Sequence, residues 1–239
     1  MIEGLARLGR EVITFDPPGS GQSPRPPHLD MAETIACAEE ALAESGVSGP
    51  VPVLGRSQGG VAALALALER PERVGRLLLI CASAGGPSFM RAPGAIWNRS
   101  HPDVWRFALL AALHVVWPRR APETLMNNLI FRDSLVDRGR FAPTPVGLRD
   151  WLRPPRPRAA WGGRVARRLD YRGRLADVRA PALVIAGRRD PQMPPSCAAE
   201  LATGIPDARL AVLERSGHYP FIEESAAFWR LVAGFLTDC

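Results

Sequence analysis

The chain contains no lysine; every basic residue other than histidine is an arginine. Together with abundant alanine, 22 glycines and 24 prolines, this points to a GC-rich coding sequence. Nowhere do about 18 apolar residues follow one another, so no segment is expected to cross a bilayer as a helix. The opening residues, Met1-Ile2-Glu3-Gly4-Leu5, lack the basic start and apolar run of a secretory signal. The cysteines, Cys37, Cys81, Cys197 and Cys239, form no C-x-x-C pair, and none stands at zinc-ligand spacing from a histidine. Free thiols in a reducing cytoplasm are therefore expected. Cys81 is expected to be a small core residue, and Cys239 an exposed thiol open to adventitious dimer formation. There is no internal repeat and no low-complexity tail.

What is present is enough for one domain, or one domain with a large insertion. The chain has 239 residues, 46% of them apolar, and that supplies a sizeable core. The formal charge is +6, and the densest basic cluster runs from Arg149 to Arg174. A nucleic-acid face would place such arginines on one element with interleaved aromatics. That reading predicts steeply salt-dependent binding, but it is a minor one, and no nucleic-acid partner is expected.

The chain is organised around Gly55-Arg56-Ser57-Gln58-Gly59. A short apolar run, residues 51–54, precedes it, and a long one, residues 61–68, follows. That order reads as buried strand, sharp turn and helix. G-x-S-x-G at such a junction is a nucleophile elbow, in which a strained serine projects its hydroxyl above the sheet edge. The flanking glycines let backbone approach where a side chain would clash. The helix that begins at the serine aims its first amides at any anion formed nearby. The plainer alternative is a Ser/Gly-rich loop capping an ordinary helix. Five residues do not separate the two, and the rest of the chain has to.

Taken in order, residues 2–8 predict a helix ended by Gly9, and residues 11–15 a short buried strand. A Gly/Pro turn follows, residues 16–24. Asp30 is a candidate N-cap for a helix over 31–45, with Ile35, Ala38, Ala41 and Leu42 on one face. After the elbow come a helix over 58–70 and a strand over 77–81. Alternation of this kind predicts an α/β fold, a mostly parallel sheet with helices on both faces. It stops at about residue 85. From there to 170 prolines are frequent, helical pieces are expected over 104–116 and 123–131, and every tryptophan except Trp229 occurs: Trp97, Trp105, Trp117, Trp151 and Trp161. An aromatic-rich helical insertion between strands reads as a cap over a site, against a bland second packing layer. Alternation then resumes with strands over 182–186 and 209–213, a helix over 196–203, and a last helix over 224–236.

Asp190 and His218 each lie in a turn just after one of these strands. In a parallel sheet the carboxyl ends of the strands share one edge, so Ser57, Asp190 and His218 are expected to converge there. A serine hydroxyl is a weak nucleophile that needs a base. Histidine titrates in the range to take that proton and return it to a leaving group, and an aspartate orients the imidazole. His28 lies in a Pro-rich turn, and His101 and His114 lie in the insertion; all three suit surface or lining roles better than a base. No acidic residue follows the strand ending at Cys81, which favours Asp190 as the acid. Glu223 and Glu224 fit the first turn of the last helix and read as structural. Glu123, Asp133 and Asp137 are acids of the insertion, more simply a solvated face than a site for a cationic amine.

The residues now on the page resemble those of the capped alpha/beta hydrolases, of proline-iminopeptidase and esterase kind. The matching segments are Asp16-Pro17-Pro18-Gly19-Ser20-Gly21-Gln22-Ser23, similar to that family's D-x-x-G-x-G-x-S turn, then residues 55–60, residues 187–191, and Ser216-Gly217-His218. They occur in the family's order, Ser then Asp then His, and cover nearly the whole chain. The resemblance implies an alpha/beta-hydrolase fold with core parts over 1–84 and 171–239 and a helical cap over 85–170. It implies a serine hydrolase cleaving an ester or amide of a small, largely apolar substrate through an acyl-enzyme. Ser57 is then the nucleophile, His218 the base, Asp190 the acid, and the Gln58 amide an oxyanion donor, with no cofactor, no metal and a small-molecule partner. Aminopeptidase, carbon–carbon hydrolase and acyltransferase chemistry remain open within it. The sequence says nothing of oligomeric state.

One departure stands out. Relatives carry further strands before the helix that here starts the chain, and a His-Gly stretch that supplies a second oxyanion amide; neither is found. Losing one such donor costs on the order of a hundred- to a thousand-fold in rate. Either the fold is shortened at its N-terminus and Met1 is an internal methionine, which is the expectation, or the sheet has rearranged. A catalytically impaired or ligand-binding relative is the competing reading.

Overall fold

The computed structural model describes residues 1–19, 23–24, 30–95, 105, 132, 134–140 and 168–237. Four strands, β1 (Val51–Arg56), β2 (Val74–Ile80), β3 (Ala182–Gly187) and β4 (Ala208–Leu213), form one parallel sheet in the order β1-β2-β3-β4. Their sequences explain their place. β3 reads Ala-Leu-Val-Ile-Ala-Gly and is buried throughout, as a parallel strand covered on both faces has to be.

Alternation along the strands splits the core in two. Leu77 and Leu79 of β2 and Val184 of β3 face one layer with α2 (Met31–Glu44), α3 (Gln58–Glu69) and α5 (Pro195–Gly204). Leu78, Ile80, Leu183 and Ile185 face the other, where α7 (Ser225–Thr237) packs Phe228, Val232 and Phe235 and α1 (Ile2–Arg7) adds Leu5. α3 is the central helix, with Val61 and Leu64 to Leu66 at 5% exposure or less, so it carries no polar face over that run. The α2 N-cap is Asp30, whose carboxylate accepts the Glu33 amide at 3.0 Å.

Residues 11–15 are not a strand, and here the sequence expectation is corrected. Among the described residues they pair with no neighbour, and Phe15 is 38% exposed. The reason lies in the ladder. Among the described residues β1 ends the sheet and bonds only to β2, and none stands beside residues 11–15 to receive their amides and carbonyls. The last helical stretch is also broken, into α6 (Pro220–Glu223) and α7, with Glu224 between them.

The segment that leaves the sheet after β2 begins with α4 (Gly86–Arg91) and returns beside its own start. Gly85 and Asp170 form an antiparallel bridge, flanked by Gly86 N to Leu169 O at 2.8 Å and Tyr171 N to Ala84 O at 2.7 Å. Gly85 has φ +129, and a Cβ there would run into the Leu169 carbonyl, so only glycine closes this neck without strain. The helices expected over 104–116 and 123–131 lie outside the described residues. No helix among the described residues is long and apolar enough to cross a membrane.

Candidate active site

Ser57 sits where β1 ends and α3 begins, with φ 54 and ψ −120. Side-chain-bearing residues avoid this region, which costs about 1–3 kcal/mol and persists only where surroundings enforce it. The enforcement is visible. Ser57 N bonds Ile80 O at 2.9 Å, tying the turn to the end of β2. Gly55 lies against the Gly59 carbonyl so closely that a Cβ would collide with it. Gln58 is the first residue of α3, where backbone amides lack intrahelical acceptors and point outward.

Asp190 follows β3 and His218 follows β4, and both side chains are buried, at 0% and 2% exposure. His218 Nδ1 and Asp190 Oδ2 are 2.7 Å apart. The second carboxylate oxygen, Oδ1, accepts the amides of Gln192 at 2.8 Å and Met193 at 3.0 Å. A buried carboxylate held this way keeps one oxygen for the imidazole, so Nδ1 is the protonated nitrogen and Nε2 carries the lone pair. The bonded set stops at His218. Among the described residues no hydrogen bond links it to the Ser57 hydroxyl.

The loop bearing His218 is stitched by carboxylates. Glu224 Oε2 accepts Arg215 N at 2.8 Å and Ser216 Oγ at 2.7 Å. Glu223 Oε2 accepts Gly217 N at 2.7 Å, while its Oε1 accepts Val136 N at 2.7 Å and Asp137 N at 3.2 Å. These glutamates read as structural and act through the amides and hydroxyl of the loops. Residues 134–140 thereby reach the site from far away in sequence. Ser134 O accepts His218 N at 3.0 Å, and Ser134 Oγ accepts Gln192 Nε2 at 2.6 Å.

Cys81 is more than a core residue. It is 1% exposed, with φ 46, and besides Ser57 it is the one non-glycine at positive φ among the described residues. Its Sγ and the ligand-type atoms of Asp190 and His218 all lie within 4.8 Å of one another. Burial pushes the thiol well up, and the Asp190 charge adds to that. A protonated thiol beside an already bonded Asp–His pair reads as a hydrogen-bonding set more simply than as a metal cage.

Of the other expected residues, Asp137 is engaged locally, with Oδ1 accepting Gly139 N at 3.0 Å and Oδ2 3.4 Å from Arg140 Nε. His28, His101, His114, Glu123, Asp133 and Cys239 lie outside the described residues, as do Trp97, Trp117, Trp151 and Trp161. Trp105 is 79% exposed.

Residues 1–225 match the model of the alpha/beta hydrolase fold family, and the chain belongs to that family. Among curated proteins it is 31% identical to a 2-hydroxy-6-oxononadienedioate/2-hydroxy-6-oxononatrienedioate hydrolase of Dechloromonas aromatica, over 99% of this chain and 79% of that protein. It is 30% identical to a 2-hydroxy-6-oxo-6-phenylhexa-2,4-dienoate hydrolase of Burkholderia cepacia, over 99% of this chain and 80% of that one. Among solved structures, a hydrolase from Pseudomonas aeruginosa aligns over 93% of this chain and 78% of its own with TM-score 0.68 and 27% identity. An alpha/beta fold family hydrolase from Bacillus anthracis aligns over 91% and 79% with TM-score 0.74 and 24% identity, a likeness of fold. The chain is a hydrolase of this family.

Proposed function

We propose that the chain is a serine hydrolase that attacks a carbonyl of a small, largely apolar substrate. The observation that carries this is the buried 2.7 Å His218–Asp190 pair on the sheet edge that also presents a serine at φ 54. Ser57 Oγ adds to the carbonyl carbon and its proton passes to His218 Nε2. Asp190 holds the imidazole in the tautomer that leaves Nε2 free and stabilises the imidazolium. The leaving group takes the proton from His218, which frees it from an acyl-Ser57. Water, deprotonated by the same nitrogen, then releases the acid. The Gln58 amide, at the start of α3, faces the developing oxyanion. A cap over this edge is supported by the Gly85–Asp170 neck and by the bonds of Ser134, which belongs to the described part, residues 134–140, of the expected insertion.

The relatives favour a second reading of the bond cleaved. Both curated hydrolases named above take 2-hydroxy-6-oxo acids, compounds whose names contain a ketone and no ester or amide. Carbon–carbon hydrolysis, in which the leaving group is a carbanion protonated by His218, uses the same three residues. Parallel assays with p-nitrophenyl butyrate and with a 2-hydroxy-6-oxohexadienoate test both readings. Turnover of either that is lost in Ser57→Ala supports the hydrolase. Faster turnover of the dienoate assigns carbon–carbon chemistry. A folded chain that binds these compounds and turns over neither is a ligand-binding relative.

A further inference from the structure

His218 stands in the loop between β4 and α6, yet the bonds that fix its backbone reach it from another part of the chain. Its own N–H donates to Ser134 O at 3.0 Å. The N–H of the preceding residue, Gly217, donates to Glu223 Oε2 at 2.7 Å. The other oxygen of that carboxylate, Oε1, accepts Val136 N at 2.7 Å and Asp137 N at 3.2 Å. Arg140 closes the seam, its Nη1 donating to Ile222 O and to Glu223 O, each at 2.9 Å. Gly217 runs so close to the Ser134 carbonyl that a Cβ would collide with it, so the two stretches of chain touch at the residue next to the base. Residues 134–140 belong to the sequence between β2 and β3, and they meet the base loop only through the fold.

The Glu223 side chain accepts from both stretches at once, and this needs a carboxylate. A carboxylate offers two acceptor oxygens and no donor, whereas a glutamine offers one oxygen and an NH2 group. Whichever way a glutamine were turned, a backbone N–H on one side would meet another N–H. Amide bonds to an ionised carboxylate are also charge-assisted, and stronger than bonds to a neutral acceptor. The Asp190 bond orients the imidazole, but the backbone carries the ring to its place. Proton transfer needs Nε2 within hydrogen-bond reach of the serine hydroxyl. A misplacement of about 1 Å costs on the order of a hundredfold in rate.

We propose that Glu223 is a positioning residue for His218: it ties the base loop to residues 134–140, so that the seat of this segment sets the seat of the base. This rests on the reading of His218 as the base. Glu223 itself touches neither substrate nor the reacting atoms.

The test has one readout free of turnover and one that is kinetic. The proton between His218 Nδ1 and Asp190 Oδ2 is expected to give a far-downfield proton NMR signal, identified by its loss in His218→Gln. In Glu223→Gln that signal is expected to shift or broaden while the circular-dichroism spectrum stays native. An unchanged signal in the folded variant overturns the proposal. The kinetic readout uses p-nitrophenyl butyrate and 2-hydroxy-6-oxohexadienoate well below Tm. Glu223→Gln is expected to lower kcat by roughly ten- to a hundredfold and to change KM by less than about threefold. A lowered Tm with full kcat would make Glu223 a brace and overturn the positioning role. If Glu223→Gln does not fold, Arg140→Met, which removes the bonds to Ile222 O and Glu223 O, decides: a lower kcat at unchanged KM supports the proposal and a full kcat overturns it. A chain that turns over neither substrate, yet whose signal moves in Glu223→Gln, would sink the hydrolase reading and leave Glu223 as the residue that places the His–Asp pair.

Discussion

The carbonyl of Ser134 accepts the backbone amide of His218 at 3.0 Å, while the hydroxyl of the same serine accepts Gln192 Nε2 at 2.6 Å. One residue thus links the loop of the candidate base to the loop of the candidate acid. Ser134 is 2% exposed and Gln192 8%, so the lost bond would not be replaced by bulk water. Ser134→Ala is expected to destabilise the chain by about 1–3 kcal/mol, read as a drop of a few degrees in Tm by circular dichroism. An unchanged Tm would show that the bond contributes nothing.

Asp190 is expected to matter more for rate than for folding. Asp190→Asn keeps the shape and both amide contacts but no longer selects the tautomer with Nε2 free. A fall in kcat on the order of ten-thousand-fold is expected, with a native circular-dichroism spectrum. A loss of less than tenfold would mean that His218 is not oriented by this carboxylate.

The buried thiols predict an alkaline limit. Burial pushes Cys197 to about 12 and Cys81 well above the ordinary 9.0. A folded-state pKa raised above the unfolded one contributes stability that is complete below the unfolded value and is lost as pH rises toward the folded one. Stability should therefore fall between pH 9 and about 12, and Cys197→Ala should flatten that fall in urea titrations. By the same reasoning iodoacetamide at pH 8 should leave Cys81 and Cys197 unmodified in the native chain. Rapid labelling of either would contradict their burial.

The positions of Ser57, Asp190 and His218 were legible because each follows an apolar run, and parallel strands bring their carboxyl ends to one edge. Residues 11–15 misled because an apolar run shows that a segment suits a strand, not that a neighbour exists to bond it. Ser134 was invisible for a related reason: its bonds to His218 and Gln192 span stretches that no local pattern connects. Cys81 carried the right chemistry, but only the fold shows that its thiol lies within 4.8 Å of the Asp190 and His218 ligand-type atoms. Glu223 reads from sequence as a first-turn residue of the last helix, whereas it ends the short α6 and its carboxylate accepts loop amides.

The core follows simpler rules. Phe228 is fully buried against the Phe221 and Trp229 rings on the α7 face. Phe228→Ala is expected to cost about 3–5 kcal/mol, a shift visible in the urea midpoint. A cost below 1 kcal/mol would show that the layer collapses to fill the space.

The most direct measurement is intact-mass analysis of the folded chain after treatment with a fluorophosphonate, followed by peptide mapping. The account expects a single adduct on Ser57 that is absent in Ser57→Ala and strongly slowed in His218→Gln. A folded chain that gains no adduct, or gains one on another residue, would contradict the assignment of Ser57 as the nucleophile.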